Sequence, residues 1–307
     1  DLNVTRFALF WALLITVLLW LVLGLPGLSA LRQRPAAGGA ALALLLLALW
    51  AYLSQEWAYN RSTRPDVALS AALGWGVCAA FALVVVCAAR PRTILIALAT
   101  AITLTALIGI VQFVRQQPLG LHSVGEFRFS LERAGVSVVQ AGDLRLVRPA
   151  ALLPHPNMLG GLLTVGLLLI GAGAVALRGR GRVLCLLLIV PLLWALLLTF
   201  SRAAWIGLAG GAVARLGPLR GRRGGLAPAA GVALIVGGVF AASYAPLLAA
   251  RVGAGTESIE LRSVADRVVF TDFALRALAE RPILGQGVGA FPWRAAAYLR
   301  ETFYDLD

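Results

Sequence analysis

Long apolar runs separated by short polar segments repeat along the whole chain. A membrane span needs about 20 apolar residues to cross the roughly 30 Å hydrocarbon core, and several runs here exceed about 18 residues. Runs such as AALALLLLALWAYL have no polar face, unlike the surface helices of soluble proteins. The pattern predicts an all-α polytopic membrane protein with about eight spans, at about 7–24, 38–53, 67–89, 93–114, 157–177, 183–200, 202–217 and 227–245.

The composition agrees with a membrane protein. The 307 residues are 60% hydrophobic and 13% charged, and the net charge of +13 comes from 27 basic residues, all of them arginine. Cys78, Cys87 and Cys185 fall within predicted spans without a C-x-x-C pair, so we interpret them as small buried hydrophobic residues. Because His122 and His155 are the two histidines of the chain, no histidine-based zinc site is predicted, and no cofactor is expected.

The arginines are distributed unevenly between the connections. Four connections together hold 11 arginines and no acidic residue: 27–37, 89–92, 178–182 and 215–226. The remaining connections hold all 14 acidic residues. Cytoplasmic loops carry an excess of basic residues, so the four acid-free connections are predicted to be cytoplasmic. Membrane topology thus accounts for the basic excess, and no nucleic-acid partner is predicted.

The same alternation decides how residues 183–217 cross the membrane. Both flanking arginine clusters are predicted on the cytoplasmic side, so this stretch crosses twice instead of forming one long helix. Arg202, in LLTFSRAAWIGL, then lies at an external turn rather than at mid-bilayer, where a guanidinium costs about 2.5–3.5 kcal/mol. Both termini are also predicted external, and we expect further sequence before Asp1 and beyond Asp307.

Two long external segments are predicted, at about 115–156 and 246–307. In the first, the alternation of apolar and polar residues at Phe127, Phe129 and Leu131 and the turn sequence AGD predict a short strand pair. Long ordered loops between spans usually carry function. Since both segments are predicted to lie on the same side of the membrane as Arg202, we expect a site at the external surface.

The second external segment contains an amphipathic helix in SVADRVVFTDFALRALAERP. Ser263 and Asp266 form a capping-box pattern at its start, and Pro282 follows its end. Arg276 follows Asp272 at helical spacing, so we interpret these two residues as a surface ion pair. The helix is expected to lie on the membrane surface or to cover a cavity.

Arg202 and Arg267 are the candidate anion-binding residues. A guanidinium at a helix N-terminus binds a phosphate or diphosphate through two parallel hydrogen bonds, and the helix adds free backbone N–H groups. The alternative for Arg202 is an interfacial anchor or a lipid-phosphate contact. Arg267 has no acidic residue three or four positions after it, and its alternative is a solvated surface charge.

A second group of polar residues lies in LLPHPNMLGGLL, just before the fifth span. Asn157 is predicted to cap the helix of this span, and the two prolines suit a helix start. His155 fits either a polar site or a wet interfacial position.

The glycine-rich stretch GQGVGAF, from Gly285 to Phe291, superficially matches a phosphate-binding loop. It lacks the last glycine of G-x-G-x-x-G, follows no strand and lies where no cytoplasmic nucleotide reaches. We therefore interpret it as a flexible turn after the amphipathic helix.

Three stretches together resemble the O-antigen ligase and O-antigen polymerase family of bacterial inner-membrane proteins. TFSRAAWIGLAGG resembles the family's Ser-Arg-small-small-aromatic motif, and HPNMLGGLL resembles its Pro-Asn element before a span. DRVVFTDFALRALAERPILGQGVGAF is similar to its external-loop pattern of an arginine, an amphipathic helix and a glycine-rich turn ending in Phe. The resemblance covers about 155–291. On this basis the chain is predicted to have two regions. Residues 1–154 hold the N-terminal spans and the first external loop, and residues 155–307 form an O-antigen-ligase-like region.

The resemblance implies a metal-independent integral-membrane glycosyltransferase of the bacterial inner membrane. Such enzymes move or polymerise a glycan from undecaprenyl diphosphate onto a lipid, glycan or protein acceptor in cell-surface polysaccharide biosynthesis. By position, Arg202 and Arg267 are implied to bind the diphosphate and to stabilise the leaving group. The polar residues implied to line the site are His155, Asn157 and Ser201.

The catalytic residue stays unassigned in this chain. In the family a catalytic histidine follows the glycine-rich turn, but no histidine follows Phe291 here, so this residue is expected beyond Asp307. Two other functions remain open. A transporter or flippase for an anionic lipid or polysaccharide would predict repeated halves and charged helices near the bilayer midplane, neither of which the pattern favours. A structural membrane subunit is the third alternative.

Overall fold

The computed structural model describes residues 2–25, 27, 29, 31, 35–88, 90–127, 129, 136–216, 226–251 and 258–303. In chain order its α-helices are α1 (Leu2–Val22), α2 (Pro35–Ser54), α3 (Pro65–Ala88), α4 (Pro91–Arg115), α5 (Pro156–Ala176), α6 (Arg180–Leu198), α7 (Arg202–Leu216), α8 (Leu226–Ser243), α9 (Ala245–Ala249), α10 (Ser258–Glu280) and α11 (Phe291–Phe303). Strands β1 (Val138–Ala141) and β2 (Leu144–Val147) pair antiparallel in the register Val138↔Val147, Val139↔Leu146, Gln140↔Arg145 and Ala141↔Leu144.

The described part of the chain is that of a mostly helical, multi-pass membrane protein. Within it, six helices are long and apolar enough to cross a membrane: α2 with the short turn after it, α3, α4, α5, α6 and α8. Of the two other predicted spans, one coincides with the shorter apolar helix Trp11–Val22 of α1. The other coincides with α7, a helix of 15 residues. The class predicted from the sequence is confirmed, whereas the total of eight crossings stays a prediction.

The chain divides into two compact units. Unit 1 comprises Asp1–Arg6 and Arg92–Glu260, and unit 2 comprises Phe7–Pro91 and Leu261–Asp307. These units are defined by residues that pack together. The predicted regions 1–154 and 155–307 were instead defined by where the motifs of the resemblance begin. The two divisions therefore describe different properties of the chain.

Contacts along α5 give the directions of the helices in unit 1. α6 follows α5 after a short connection and packs along it, so these two helices are antiparallel. α7 is parallel to α5: Thr164 donates to the carbonyl of Ala204, and Leu168, one turn further along α5, contacts Gly211, two turns further along α7. The chain therefore reverses between α6 and α7, as predicted. We call the connecting residues, Thr199–Ser201, the α6–α7 turn.

The two ends of unit 1 differ in composition. The end of α4, the β-hairpin and the end of α8 lie beside the α6–α7 turn, where Phe200 contacts the rings of Phe113 and Phe240. We call this the turn end. The arginine-rich connection between α5 and α6 lies at the opposite end. This separation agrees with the alternation of connections in the sequence, and which end faces the cell exterior stays a prediction.

The first long segment folds into a β-hairpin at the predicted AGD turn. Gly142 in that turn has φ 57°, a conformation that suits the short connection of a hairpin. The strand predicted from the alternation upstream of this hairpin is not found at Phe127 and Phe129, which are not in a strand. Leu131 lies outside the described residues.

Aromatic side chains form the core beneath the α6–α7 turn. Phe200 and Phe240 are almost completely buried, and Trp194 and Tyr244 pack around them with ring centroids 4.9–6.3 Å apart. Phe113 adds an edge-on contact to Tyr244 at 5.7 Å. Because lipid tails are as apolar as a protein core, such packing rather than water exclusion stabilises helix association in a membrane.

The predicted amphipathic helix is α10, and it packs on α11 within unit 2. Phe273 and Ala277 of α10 contact Ala295 and Tyr298 of α11, with the two rings 5.5 Å apart. Small alanines on both helices let their axes approach closely, so the pair forms a small core of its own.

The end of α10 lies where the sequence predicted it, but its start does not. The helix ends at Glu280, two residues before Pro282. It already begins by Ser258, so the capping box predicted for Ser263 and Asp266 is wrong. The helix already includes the residues SIELR before Ser263. The backbone N–H groups after Ser263 therefore bond within the helix and need no capping side chain.

The glycine-rich stretch after α10 is docked rather than free. The amide of Val288 donates to Ser54 Oγ at 3.0 Å, and the amide of Tyr59 donates to the carbonyl of Gln286 at 2.9 Å. Gly287 has φ 91° and lies against Ala58. Gly287 therefore serves close packing against Ser54 at the end of α2 and against Ala58.

Candidate functional site

The α6–α7 turn has a backbone geometry that a continuous helix would not have. Phe200 has φ 47°, in the left-handed region that residues other than glycine rarely adopt. The hydroxyl of Thr199 donates to the carbonyl of Leu196 at 2.6 Å and accepts from the amide of Ser201 at 3.3 Å. These contacts end α6 and allow α7 to begin at Arg202.

Arg148, directly after β2, binds this turn from the first long segment. Its side chain is buried, its Nε donates to the carbonyl of Thr199 at 2.6 Å, and its Nη2 donates to Asn157 Oδ1 at 2.7 Å. Hydrogen bonds from a charged donor are shorter and stronger than neutral ones. One guanidinium therefore joins the turn to the start of α5.

Two further arginines complete the surroundings of the turn. Arg251, also buried, donates from Nε to the carbonyl of Phe200 at 3.0 Å. Arg202, half-buried at the first position of α7, donates from Nη1 to the carbonyl of Arg251 at 3.1 Å. We call Arg148, Arg202 and Arg251 the arginine cluster.

The arginine cluster brings three guanidinium groups together at the turn end of unit 1. The guanidinium groups of Arg148 and Arg251 donate to the turn, and that of Arg202 donates to the carbonyl of Arg251. The N-terminus of α7 adds the positive end of a helix dipole. Planar guanidinium groups match the geometry of phosphate oxygens. The arrangement suits a polyvalent anion such as a diphosphate.

His155 and Asn157 lie at the start of α5, where Asn157 contacts the cluster through Arg148. The capping residue is His155, whose Nδ1 accepts from the amide of Asn157 at 3.1 Å. The predicted cap at Asn157 is therefore wrong. Pro156 has no N–H and occupies the first helical position, so the first amide that needs a partner is that of Asn157.

The two ring nitrogens of His155 have different contacts. Since Nδ1 accepts, the proton of the neutral ring lies on Nε2, which is 3.0 Å from Ser137 Oγ. The ring therefore connects the start of α5 to the residue before β1. Whether His155 also contacts a substrate stays a prediction.

Ser201 is buried in the turn. It is 3% exposed and lies against Gly160 of α5, where a larger residue would separate the two helices. Its carbonyl accepts from the amide of Trp205 in the first turn of α7. Ser201 is thus part of the packing between the turn and α5, and its contact with a substrate stays a prediction.

Arg267 lies in unit 2, on the exposed surface of α10. Its carbonyl accepts from the Thr271 hydroxyl at 2.7 Å. Nearby, Arg276 and Asp272 form the predicted exposed ion pair at 2.8 Å. Because Arg202 belongs to the other unit, a shared role of Arg202 and Arg267 stays a prediction.

A buried carboxylate organises the start of the first long segment. The side chain of Glu126 is fully buried and accepts from Gln112 Nε2 at 2.7 Å and from the amides of Leu119 and Leu121 at 2.7 and 2.6 Å. Burial acts to raise the pKa of Glu126, but these hydrogen bonds outweigh it and lower the pKa. An ionised, fully bonded carboxylate of this kind is a structural anchor.

Sequence reasoning did not identify four of these polar residues: Gln112, Glu126, Arg148 and Arg251. A glutamine inside the apolar run ALIGIVQFV is a signal for Gln112, because an amide there needs a buried partner. Arg148 and Arg251 each follow an apolar residue in a predicted external segment. Solvated arginines have similar neighbours, so the local sequence did not indicate that these two are buried.

An apolar cavity of about 460 Å³ begins one helical turn from Arg202. It lies between α5, α6, α7 and α8, and its lining includes Trp205, Leu168, Ile189 and Val213. From Trp205 to Val213 it follows α7 for about 12 Å, at 1.5 Å per residue. The cavity therefore offers apolar walls to a chain-like group that starts near the arginine cluster.

Among the described residues, no group of three or more His, Cys, Asp or Glu side chains is placed to hold a metal ion. Comparison of the chain with protein-family models, curated proteins and solved structures found no match. The resemblance to the O-antigen ligase and polymerase family stays a prediction from the motif residues.

Proposed function

We propose that this protein is an integral-membrane glycosyltransferase that moves or polymerises a glycan from undecaprenyl diphosphate to an acceptor at the external face of the bacterial inner membrane. The arginine cluster around the α6–α7 turn carries the proposal. It gathers three positive charges beside the motif TFSR, which resembles that of the O-antigen ligase family.

In the proposed reaction, an acceptor hydroxyl attacks the anomeric carbon of the donor glycan and the bond from that carbon to the diphosphate oxygen breaks. The hydroxyl proton passes to a base, and the lipid diphosphate leaves with the bonding electron pair. Negative charge grows on the leaving diphosphate in the transition state, where fixed positive groups lower the barrier by about 3–4 kcal/mol each. Arg202 is the proposed principal contact, with Arg267 as a second.

The apolar cavity beside α7 supports a lipid-linked donor. A polyprenyl diphosphate has an anionic head and a long hydrocarbon chain, and a site for it needs both a cationic group and apolar walls close by. Arg202 and Trp205 lie one turn apart on α7, at the cluster and at the cavity respectively. The proposed donor therefore has its diphosphate at the cluster and the start of its chain in the cavity.

Arg202→Ala and Arg202→Lys test this function in a complete protein by transfer from an undecaprenyl-diphosphate-linked glycan. We expect Arg202→Ala to lower kcat about 10²–10³-fold. Arg202→Lys restores only part of the activity because lysine lacks the planar pair of donors. Arg145→Ala, on the exposed part of β2, is the control and keeps full activity.

Undiminished transfer in both Arg202 variants would remove Arg202 from the mechanism. Movement of the lipid-linked glycan across vesicles without any elongation would instead favour a flippase. The two assays use the same purified protein and the same donor, so they separate the two functions.

A further inference from the structure

Arg148 joins three segments of unit 1: the end of β2, the start of α5 and the α6–α7 turn, which is 51 residues away in sequence. It follows β2, it donates to the carbonyl of Thr199 at 2.6 Å, and it donates to Asn157 Oδ1 at 2.7 Å. Its acceptors belong to the TFSR and HPN stretches. A single planar group therefore links the start of α5 to the α6–α7 turn.

The α6–α7 turn depends on such outside contacts. Phe200 is left-handed, a conformation that costs free energy for a residue with a Cβ atom. The carbonyls of Thr199 and Phe200 follow the end of α6, and each accepts from an arginine, Arg148 and Arg251 respectively. Both arginines are buried, so their loss would leave buried carbonyls without these partners.

Arg202 is hydrogen-bonded to the residues that hold this turn. Its Nη1 donates to the carbonyl of Arg251, whose own side chain donates to Phe200. A continuous path of hydrogen bonds and peptide units thus leads from Arg148 through the turn to the Arg202 guanidinium. Since Thr199 is three residues before Arg202, we expect a shift of Thr199 to move Arg202 as well.

We propose that Arg148, together with Asn157, is a positioning residue that holds Arg202 in the orientation needed to bind a diphosphate. This inference rests on the proposed function, because it assigns Arg148 a role at the same site. The contact depends on the fork of the guanidinium: Nε and Nη2 reach two different acceptors at once. Lysine at position 148 keeps the charge and loses this fork.

The first test measures binding of inorganic pyrophosphate to the complete protein in lipid nanodiscs by calorimetry. Arg148→Gln and Arg148→Lys each weaken binding about tenfold, and Asn157→Ala weakens it in the same direction. The double variant Arg148→Gln/Asn157→Ala binds as weakly as Arg148→Gln alone, because both residues act through one contact. Arg145→Gln, an exposed arginine of the adjacent strand, leaves binding unchanged.

Each other result of this first test contradicts the inference. Restored binding in Arg148→Lys means that Arg148 acts only through its charge on the ion. Additive losses in the double variant mean that Arg148 and Asn157 act separately. Absence of pyrophosphate binding to the parent protein removes the anion site that Arg148 is proposed to support.

The second test compares Arg148→Gln in the parent and in Arg202→Ala by kcat/KM for glycan transfer. We expect a loss of about 10–100-fold in the parent and less than about twofold in Arg202→Ala, because a positioning residue has no effect once the positioned group is gone. Equal losses in both backgrounds overturn the positioning role, although the transferase function stands. A parent protein that binds pyrophosphate with the expected variant pattern but transfers no glycan overturns the function instead.

Discussion

Glu280 joins the end of α10 to two side chains of α11, Arg294 and Tyr298, and to Gln286 of the glycine-rich turn. Its carboxylate accepts from the Tyr298 hydroxyl at 2.6 Å, from Gln286 Nε2 at 3.0 Å and from Arg294 Nε at 3.1 Å, with a second contact to Arg294 Nη2. The Arg294 guanidinium also lies 4.1 Å from the centroid of the Tyr298 ring. These hydrogen bonds, that of Arg294 above all, lower the pKa of Glu280 to about 2.

Glu280→Gln therefore gives a pH-dependent change in stability. Because the pKa falls from 4.5 to about 2 on folding, the ionised carboxylate stabilises the fold above about pH 4.5, and this contribution disappears as the pH falls towards 2. At pH 7 we expect a loss of about 1 kcal/mol, a modest value since the side chain is 38% exposed. Thermal denaturation of the purified protein from pH 7 down to pH 3 measures it.

The matched control is Asp272→Asn, which breaks an ion pair whose two side chains are both about half exposed. Exposed pairs of this kind contribute about 0.3–0.5 kcal/mol, so this variant is nearly neutral. A Glu280→Gln deficit that stays the same size throughout the acid titration would contradict the account.

Among single residues, Arg202 was predicted from the sequence as an anion-binding residue, and this role stays a prediction. The groups that contact it were not predicted. Arg148 and its acceptor Thr199 are 51 residues apart, and Arg251 is 51 residues from Phe200. No local pattern encodes such contacts, because each arginine alone is compatible with a solvated position. Burial of these guanidinium groups follows from tertiary packing.

The apolar pattern predicted the secondary-structure elements well, since a membrane span is defined by its own composition. α5 was predicted at 157–177 and lies at Pro156–Ala176. The turn between α6 and α7 also followed from the sequence, because charges on both sides required two crossings. Helix caps were less predictable: neighbouring residues compete for the same N–H groups, as His155 and Asn157 do at the start of α5.

Gly287→Ala is expected to disrupt the docking of the glycine-rich turn on α2. A Cβ atom at this position would collide with Cα of Ala58 and would lie 2.9 Å from the carbonyl oxygen of Ser54, at φ 91°. Overpacking against backbone adds to conformational strain, so we expect a loss of about 3 kcal/mol or more. The midpoint of thermal unfolding measures this loss.

Gly285→Ala separates strain from collision. Gly285 also has a left-handed φ, 68°, but no atom lies within 4 Å of the place its Cβ would take. This variant is expected to lose about 1–2 kcal/mol, from strain alone. If the two variants lost equal stability, close packing of Gly287 on Ala58 would not be the reason for the glycine.

For the whole molecule, the strongest inference from sequence was the alternation of acidic and acid-free connections. In unit 1 the structure agrees with it: the acidic Glu126 and Asp143 lie on the segment bound to the α6–α7 turn, and Arg178, Arg180 and Arg182 lie at the opposite end. The composition of a loop predicts its side because translocation acts on the loop itself. Substrate recognition needs contacts between distant segments, so composition alone could not define the site.

Cysteine labelling of the two ends of unit 1 tests most directly whether the arginine cluster faces the cell exterior. In a variant with alanine at Cys78, Cys87 and Cys185, one cysteine replaces either Asp143 at the turn end or Arg178 at the opposite end, both exposed positions. A membrane-impermeant maleimide is predicted to label Asp143→Cys in intact spheroplasts and Arg178→Cys only after permeabilisation. The reverse pattern would place the cluster in the cytoplasm and contradict the proposed function.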